Sequence, residues 1–217
     1  MGFTNRDFWE TETEKYSKIH FRLEKCARVI NTLAKGRKYE LLDIGCGPGT
    51  LARLLNANVN YFGIDLVIHD PKPNLLEMNI LESKIRFGDR HFDFVTMLGI
   101  LEYLGEYQNQ KLKEVQNILK KDGRLILTYL NFNHVRGHLF DLPIYNNVKS
   151  IGDLISDLES FFTIDDWYPT YYNWNRTEPR REWLKAIQMP LKINIPFFSE
   201  ILAGEYTFVC SKNASVS

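Results

Sequence analysis

What the chain has little of narrows the problem before any motif is read. Cysteine is scarce: Cys26, Cys46 and Cys210 are too widely spaced for a CxxC metal knuckle or a dense disulfide framework, which points to a reducing, cytoplasmic compartment. No run approaches the ~18 uncharged apolar residues of a membrane span. The polar, acidic stretch Met1–Glu10 does not read as a secretory leader. Neither sign of charge prevails, since 27 Lys and Arg face 27 Asp and Glu. A chain so balanced has no global field with which to gather nucleic acid or an anionic surface, so a nucleic-acid partner is not expected. Repeats, low-complexity tracts and Pro/Gly/Ser linkers are also missing, and a single domain is expected over the 217 residues. No clustered Asp, Glu and His set argues for a metal.

What is there alternates between two periodicities. From Glu12 to Ala34, the positions Ile19, Leu23, Cys26, Ala27, Ile30 and Leu33 recur at steps of three and four, the stripe of an amphipathic helix. Short apolar runs then read as strands at Tyr39–Ile44, Tyr61–Asp65, Asn74–Ile80, Phe92–Leu98 and Arg124–Tyr129. Before the last of these, Leu112, Val115, Ile118 and Leu119 mark a helix expected to end near Gly123. Between the second and third strands, Leu66–Pro73 is too short and too rich in proline for a crossover helix. Ser150 and Asp153 form a capping-box-like start for another helix, with two further strands expected at Ile164–Tyr171 and Glu205–Ser211. Strands alternating with helices imply an α/β fold with a doubly wound, mostly parallel sheet. The expected organisation is an N-terminal helical segment over 1–36, an α/β core over 37–130, and further elements over 131–217. A late insertion at about 172–203 has the length of a lid or binding loop.

The chemistry-bearing signal is Gly45-x-Gly47-x-Gly49, set between a strand and a helix. Such a turn lets backbone approach a ligand closely and offers unpaired N–H groups at the helix start. A dinucleotide-binding turn has a third glycine at the sixth position, where this chain has Thr50, so NAD and FAD are disfavoured. Asp65 ends the second strand twenty positions after Gly45, a spacing that brings its carboxylate over the glycine turn within reach of a ribose diol.

Four segments in order then resemble the class I, Rossmann-like S-adenosylmethionine-dependent methyltransferases: Leu41-Leu42-Asp43-Ile44-Gly45-Cys46-Gly47-Pro48-Gly49-Thr50, Tyr61-Phe62-Gly63-Ile64-Asp65-Leu66, Phe92 to Tyr103, and Leu119 to Thr128. The resemblance implies a seven-stranded sheet with its last strand reversed and S-adenosylmethionine over the C-terminal ends of the first strands. It also implies roles. Asp43 would orient the turn and the methionine ammonium, and Gly45, Cys46 and Gly47 would meet the methionyl part. Asp65 would bind the ribose, Asn79 and Ile80 would flank adenine, and Leu98 would touch the cofactor. Where relatives often carry Glu-His, this chain has Glu102-Tyr103.

For the acceptor, the polar stretch after the fifth strand nominates His134 as general base, with His69 and His138 as weaker alternatives, and Asn131 as a substrate contact. Tyr16 would close over the cofactor from the N-terminal helix. In the insertion, Tyr171, Tyr172, Trp174, Arg176, Arg180 and Arg181 could stack a ring and clamp an anion, or form a solvated basic helix whose aromatics cover the core. The Asn/Asp-Pro-Pro-aromatic and Pro-Cys turns of base-modifying enzymes are absent at Thr96-Met97-Leu98-Gly99. The function expected is methyl transfer to a small or glycan-linked metabolite at oxygen or nitrogen. A non-catalytic cofactor-binding module and an aminopropyltransferase stand as alternatives.

Overall fold

The computed structural model describes residues 6–11, 18–135, 145, 147–173 and 178–213. In chain order the elements are α1 (Arg6–Thr11), α2 (Phe21–Ala34), β1 (Tyr39–Ile44), a 3₁₀ turn (Thr50–Leu54), β2 (Val59–Asp65), β3 (Leu75–Glu77) and β4 (Phe92–Leu98). Two short 3₁₀ turns (Leu101–Tyr103 and Gly105–Tyr107) lead to α3 (Gln108–Ile118), β5 (Leu119–Leu130), α4 (Ile151–Glu159), β6 (Phe162–Tyr172), α5 (Glu182–Gln188), α6 (Phe198–Leu202) and β7 (Ala203–Lys212). The seven strands lie in the order β3-β2-β1-β4-β5-β7-β6. β1 to β5 are parallel, and β7 runs antiparallel to both its neighbours. This is the α/β architecture expected from the sequence, including the reversed last strand.

Strand alternation distributes the core over two layers. On one face Leu41, Phe94, Ile126 and Val209 pack against Cys26, Ala27 and Ile30 of α2. On the other, Leu42, Val95, Leu125 and Phe208 meet Leu112 and Val115 of α3 and Leu154 and Leu158 of α4. Among the described residues no helix is long and apolar enough to cross a membrane.

Several element boundaries differ from the sequence expectation. α2 begins at Phe21 after His20 in extended backbone, so Ile19, 41% exposed, does not join the buried stripe. The helix after the glycines is a five-residue 3₁₀ turn. β3 has only three residues because Asn79 folds the chain back: its side-chain oxygen accepts from the Leu81 N–H at 3.1 Å. α3 stops at Ile118, five residues early, because Leu119 already pairs with Phe92 on β4. Gly123 is therefore no helix cap; a Cβ there would stand 2.9 Å from the Phe92 carbonyl oxygen, so close strand approach is what requires glycine. In α5, Trp183 and Ile187, which helical spacing places together, are exposed rather than covering the core.

Candidate active site

The parallel strands end on one edge of the sheet, and the chain turns there with positive φ at Gly45, Gly47 and Gly49. Side chains at the first turn would collide with Ile100, whose Cδ1 lies 2.0 Å from where a Gly45 Cβ would be. The turn is tied down from both sides. Gly45 and Cys46 donate their N–H groups to the Ile64 carbonyl at 2.8 and 3.1 Å. Asp65 Oδ2 accepts from the Gly47 N–H at 2.6 Å while Oδ1 accepts from the Leu66 N–H at 2.7 Å. Two acceptor oxygens with lone pairs to spare thus stand beside the bare-backbone turn. Burial raises the Asp65 pKa, against the backbone donors that favour its ionised form.

Asp43 supports the turn from below. It is buried, its Oδ2 accepting from the Tyr61 hydroxyl at 2.7 Å and its Oδ1 from Thr96 Oγ1 at 2.6 Å. Burial pushes its pKa up to about 6, with the two hydroxyl donors opposing. Cys46 is tucked against Gly63, and burial raises its thiol pKa strongly, so a thiolate nucleophile is not supplied there.

These groups open into one cavity of about 950 Å³ that follows the strand ends from β2 across β1 to β4 and β5. At the β2 end its walls include Asp43, Gly45, Cys46, Gly47, Asp65, Asn79 and Ile80, and Leu98 joins them from β4. All eight residues carrying the cofactor expectations are therefore brought together. His69 also lines this end.

The other end, beyond Gly99, is walled by residues the sequence reading did not nominate. Trp9 of α1 meets Tyr103 edge-on at 5.4 Å between ring centroids, and Tyr103 lies 5.4 Å from Tyr145. α1 is held over this edge by Arg6, whose Nη1 bonds Glu77 Oε1 of β3 at 2.6 Å. Arg22 crosses Gly99 so closely that a Cβ there would stand 1.9 Å from its Nη1. Beneath it, Glu205 is fully buried and pairs with Arg22 Nε at 3.4 Å. Glu102 is also fully buried; its Oε1 accepts from the Leu130 N–H at 2.9 Å. The only sequence signal for this group was the position of Glu102 in the segment after the fourth strand.

The acceptor expectations fare differently. His134 is buried with Nε2 at 2.9 Å from the Asn173 carbonyl, and it does not line the cavity. Asn131 spends its amide on the carbonyls of Glu200 and Ala203, both at 2.8 Å, fastening α6 to the end of β5. Tyr172 turns its hydroxyl to the Ile193 carbonyl at 2.7 Å and to Ser199 at 2.6 Å. These three hold the late segment in place instead of facing the cavity. From that segment, Tyr171 and Arg180 do reach the wall, whereas Arg181 is the exposed residue preceding α5. Tyr16, His138, Trp174 and Arg176 lie outside the described residues.

A family model described as a methyltransferase domain matches residues 19–200. The ubiquinone biosynthesis O-methyltransferase of Rickettsia akari (strain Hartford) is 32% identical over 104 residues, which span 43% of this chain and only 41% of that protein. Among solved structures, a SAM-dependent methyltransferase from Archaeoglobus fulgidus aligns over 94% of this chain and 99% of its own, with 18% identity and a TM-score of 0.65. The 1,6-didemethyltoxoflavin-N1-methyltransferase of Burkholderia thailandensis, solved with bound 1,6-didemethyltoxoflavin and S-adenosylhomocysteine, aligns over 88% of this chain and 78% of its own, with 18% identity and a TM-score of 0.56. The glycine turn with an acidic residue on the next strand, the 3-2-1-4-5-7-6 sheet and a family match over most of the chain converge: this protein belongs to the Rossmann-like, S-adenosylmethionine-dependent methyltransferases.

Proposed function

We propose that the protein methylates a small, ring-bearing molecule at a hydroxyl oxygen or a nitrogen, with S-adenosylmethionine as donor. The observation that carries this reading is the cavity at the strand ends, lined by Asp65 and the glycine turn on one side and by the rings of Trp9, Tyr103 and Tyr145 on the other. Its volume is in the usual range of ~300–1,000 Å³ for small-molecule sites, room for a nucleoside and a modest acceptor side by side. The donor set fits the sulfonium nucleoside: open glycine backbone for the methionyl part, Asp65 for the ribose hydroxyls, and Asn79 and Ile80 for adenine. Asp43 serves by holding Tyr61 and Thr96 under the turn. When bound, S-adenosylmethionine supplies an electrophilic methyl group, and what the chain contributes is positioning and exclusion of water.

The acceptor's nature is supported by three points. Aromatic side chains favour a ring, by stacked or edge-to-face contact. The Rickettsia relative is named for O-methyl transfer and the Burkholderia neighbour for N-methyl transfer, both on small molecules. Arg180 and Lys185 at the cavity wall suit an anionic substituent, which keeps a glycan-linked phosphate or carboxylate within this reading. Balanced charge disfavours nucleic acid, and the cysteine pattern favours a cytoplasmic setting.

The test is isothermal titration with S-adenosylmethionine and S-adenosylhomocysteine, followed by measuring S-adenosylhomocysteine release with phenols, aromatic amines and uronic acids as acceptors. Binding of both nucleosides and turnover confined to small acceptors is the expected result. Turnover only with RNA or protein would contradict the reading.

A further inference from the structure

Among the described residues, Glu102 is a fully buried carboxylate of the cavity wall with one oxygen that makes no hydrogen bond. Its Oε1 is fixed by the Leu130 N–H at the end of β5, while Oε2 has no hydrogen-bond partner among the described residues. A buried, unpaired carboxylate oxygen is costly and calls for a reason. Burial disfavours the ionised form of Glu102 and outweighs its own backbone N–H, the Leu130 N–H and the Arg22 guanidinium, which favour it. The charge of Arg22 on α2 acts on Glu102, but Arg22 already pairs with Glu205 of β7, so two buried carboxylates share one guanidinium. Tyr129 of β5 also feels the Glu102 charge, which helps raise its phenol pKa after burial itself.

The place of Glu102 along the cavity gives the reason. Asp65 marks the nucleoside end at β2, and the glycine turn lies between at β1. Glu102 follows β4, one turn past Gly99, in the same 3₁₀ turn as Tyr103, whose ring meets Trp9. A donor seated from Asp65 across the glycines leaves this far end to the acceptor.

Resting on the methyltransferase reading above, we propose that Glu102 Oε2 is the proton acceptor for the methylated group, so that the site selects acceptors carrying a neutral O–H or N–H. The balance closes as follows. The acceptor's electron pair forms the bond to the methyl carbon, the carbon–sulfur pair returns to sulfur as a thioether, and the acceptor's proton passes to Oε2 and then to water. Arg22 is a positioning residue: its charge opposes the burial that raises the Glu205 pKa behind the site, and keeps the local charge from growing more negative. The proton-acceptor role expected of His134 thus passes to a residue that lines the cavity. A free carboxylate acceptor would meet Glu102 as a like charge and is excluded.

The test compares wild type, Glu102→Gln and Glu102→Asp by calorimetric binding of S-adenosylmethionine and by turnover of catechol, aniline and benzoate between pH 5.5 and 9. Calorimetric titration of catechol into the S-adenosylhomocysteine-loaded protein, in buffers of differing ionisation enthalpy, adds a readout independent of turnover. Glu102→Gln is isosteric and removes a buried charge, so it should fold; circular dichroism checks this. The expected result has four parts: nucleoside affinity unchanged within about twofold; catechol or aniline turnover lower by about 100- to 10,000-fold in Glu102→Gln; partial recovery in Glu102→Asp; and a proton linked to catechol binding that vanishes in Glu102→Gln. Glu102→Gln turnover within about threefold of wild type would overturn the proposal, as would a pH profile or linked proton that survives the substitution. Nucleoside binding with no turnover of catechol or aniline, or with turnover of benzoate alone, would overturn it too. Failure of the wild type to bind either nucleoside would instead overturn the cofactor reading on which it rests.

Discussion

At the scale of the residue, the site is built from groups whose burial works against their charge. Asp65 is the clearest to test for cofactor binding. Its ribose role makes two charge-assisted hydrogen bonds available, so Asp65→Ala should weaken S-adenosylmethionine binding by about 1.5 to 3 kcal/mol in calorimetry. Unchanged affinity would remove the ribose assignment. Glu102 makes a stability prediction. Burial lifts its carboxyl pKa from an ordinary value of 4.5 to about 7, so between those values the folded state holds a proton that the unfolded chain has lost. Stability fully present below pH 4.5 is therefore lost as pH rises through about 7, at a cost of about 3 kcal/mol. Glu102→Gln should be more stable than wild type at pH 8, and the gain should fade toward pH 4. Urea unfolding at the two pH values checks the sign. Gly99 carries a third: at φ +68°, with Arg22 Nη1 1.9 Å from any Cβ, Gly99→Ala should displace the guanidinium and destabilise the protein by more than 1 kcal/mol in the same urea titrations.

At the scale of the element, the anchoring of the late segment is specific. Lys25 of α2 donates to the carbonyls of Pro169, Thr170 and Gln188 at 3.2, 2.8 and 3.2 Å. The Gln188 side chain pairs with both backbone groups of Tyr172, accepting its N–H at 2.7 Å and donating to its carbonyl at 3.1 Å. α5 is thereby attached to the end of β6 by polar contacts rather than by core packing, which is why Trp183 and Ile187 remain exposed. Gln188→Ala should raise hydrogen exchange across α5 and α6 while leaving exchange in β1, β4 and β5 unchanged. Uniform loosening of the sheet would show that the segment is part of the core. Elements whose boundaries are set by their own sequence were the legible ones. β4 spans Phe92–Leu98 as its apolar run indicated, and Ser150 caps α4, its side chain accepting the Asp153 N–H at 3.1 Å. Boundaries set by neighbours were not: α3 gives way at Leu119 because β4 offers a pairing partner, and no local pattern announces that.

At the scale of the whole molecule, the cofactor half of the cavity was readable because it is made by short-range geometry, a glycine turn and the strand ends on either side of it. The acceptor half was not, because it is assembled from α1, α2, the turn after β4 and the end of β5, far apart in the chain. His134 and Asn131 lie in the right stretch of sequence, yet after β5 the chain folds back under α6, and their side chains follow it. Trp9 and Arg22 lie before the first strand, in segments whose sequence reads only as helical packing or polar surface. The most direct measurement of the whole arrangement is a crystal structure of the protein with S-adenosylhomocysteine. The expected result is a ribose diol on Asp65, adenine between Asn79 and Ile80, and the thioether sulfur directed toward Glu102 and Tyr103. A nucleoside bound away from the glycine turn, or a sulfur turned from the β4 and β5 ends, would contradict it.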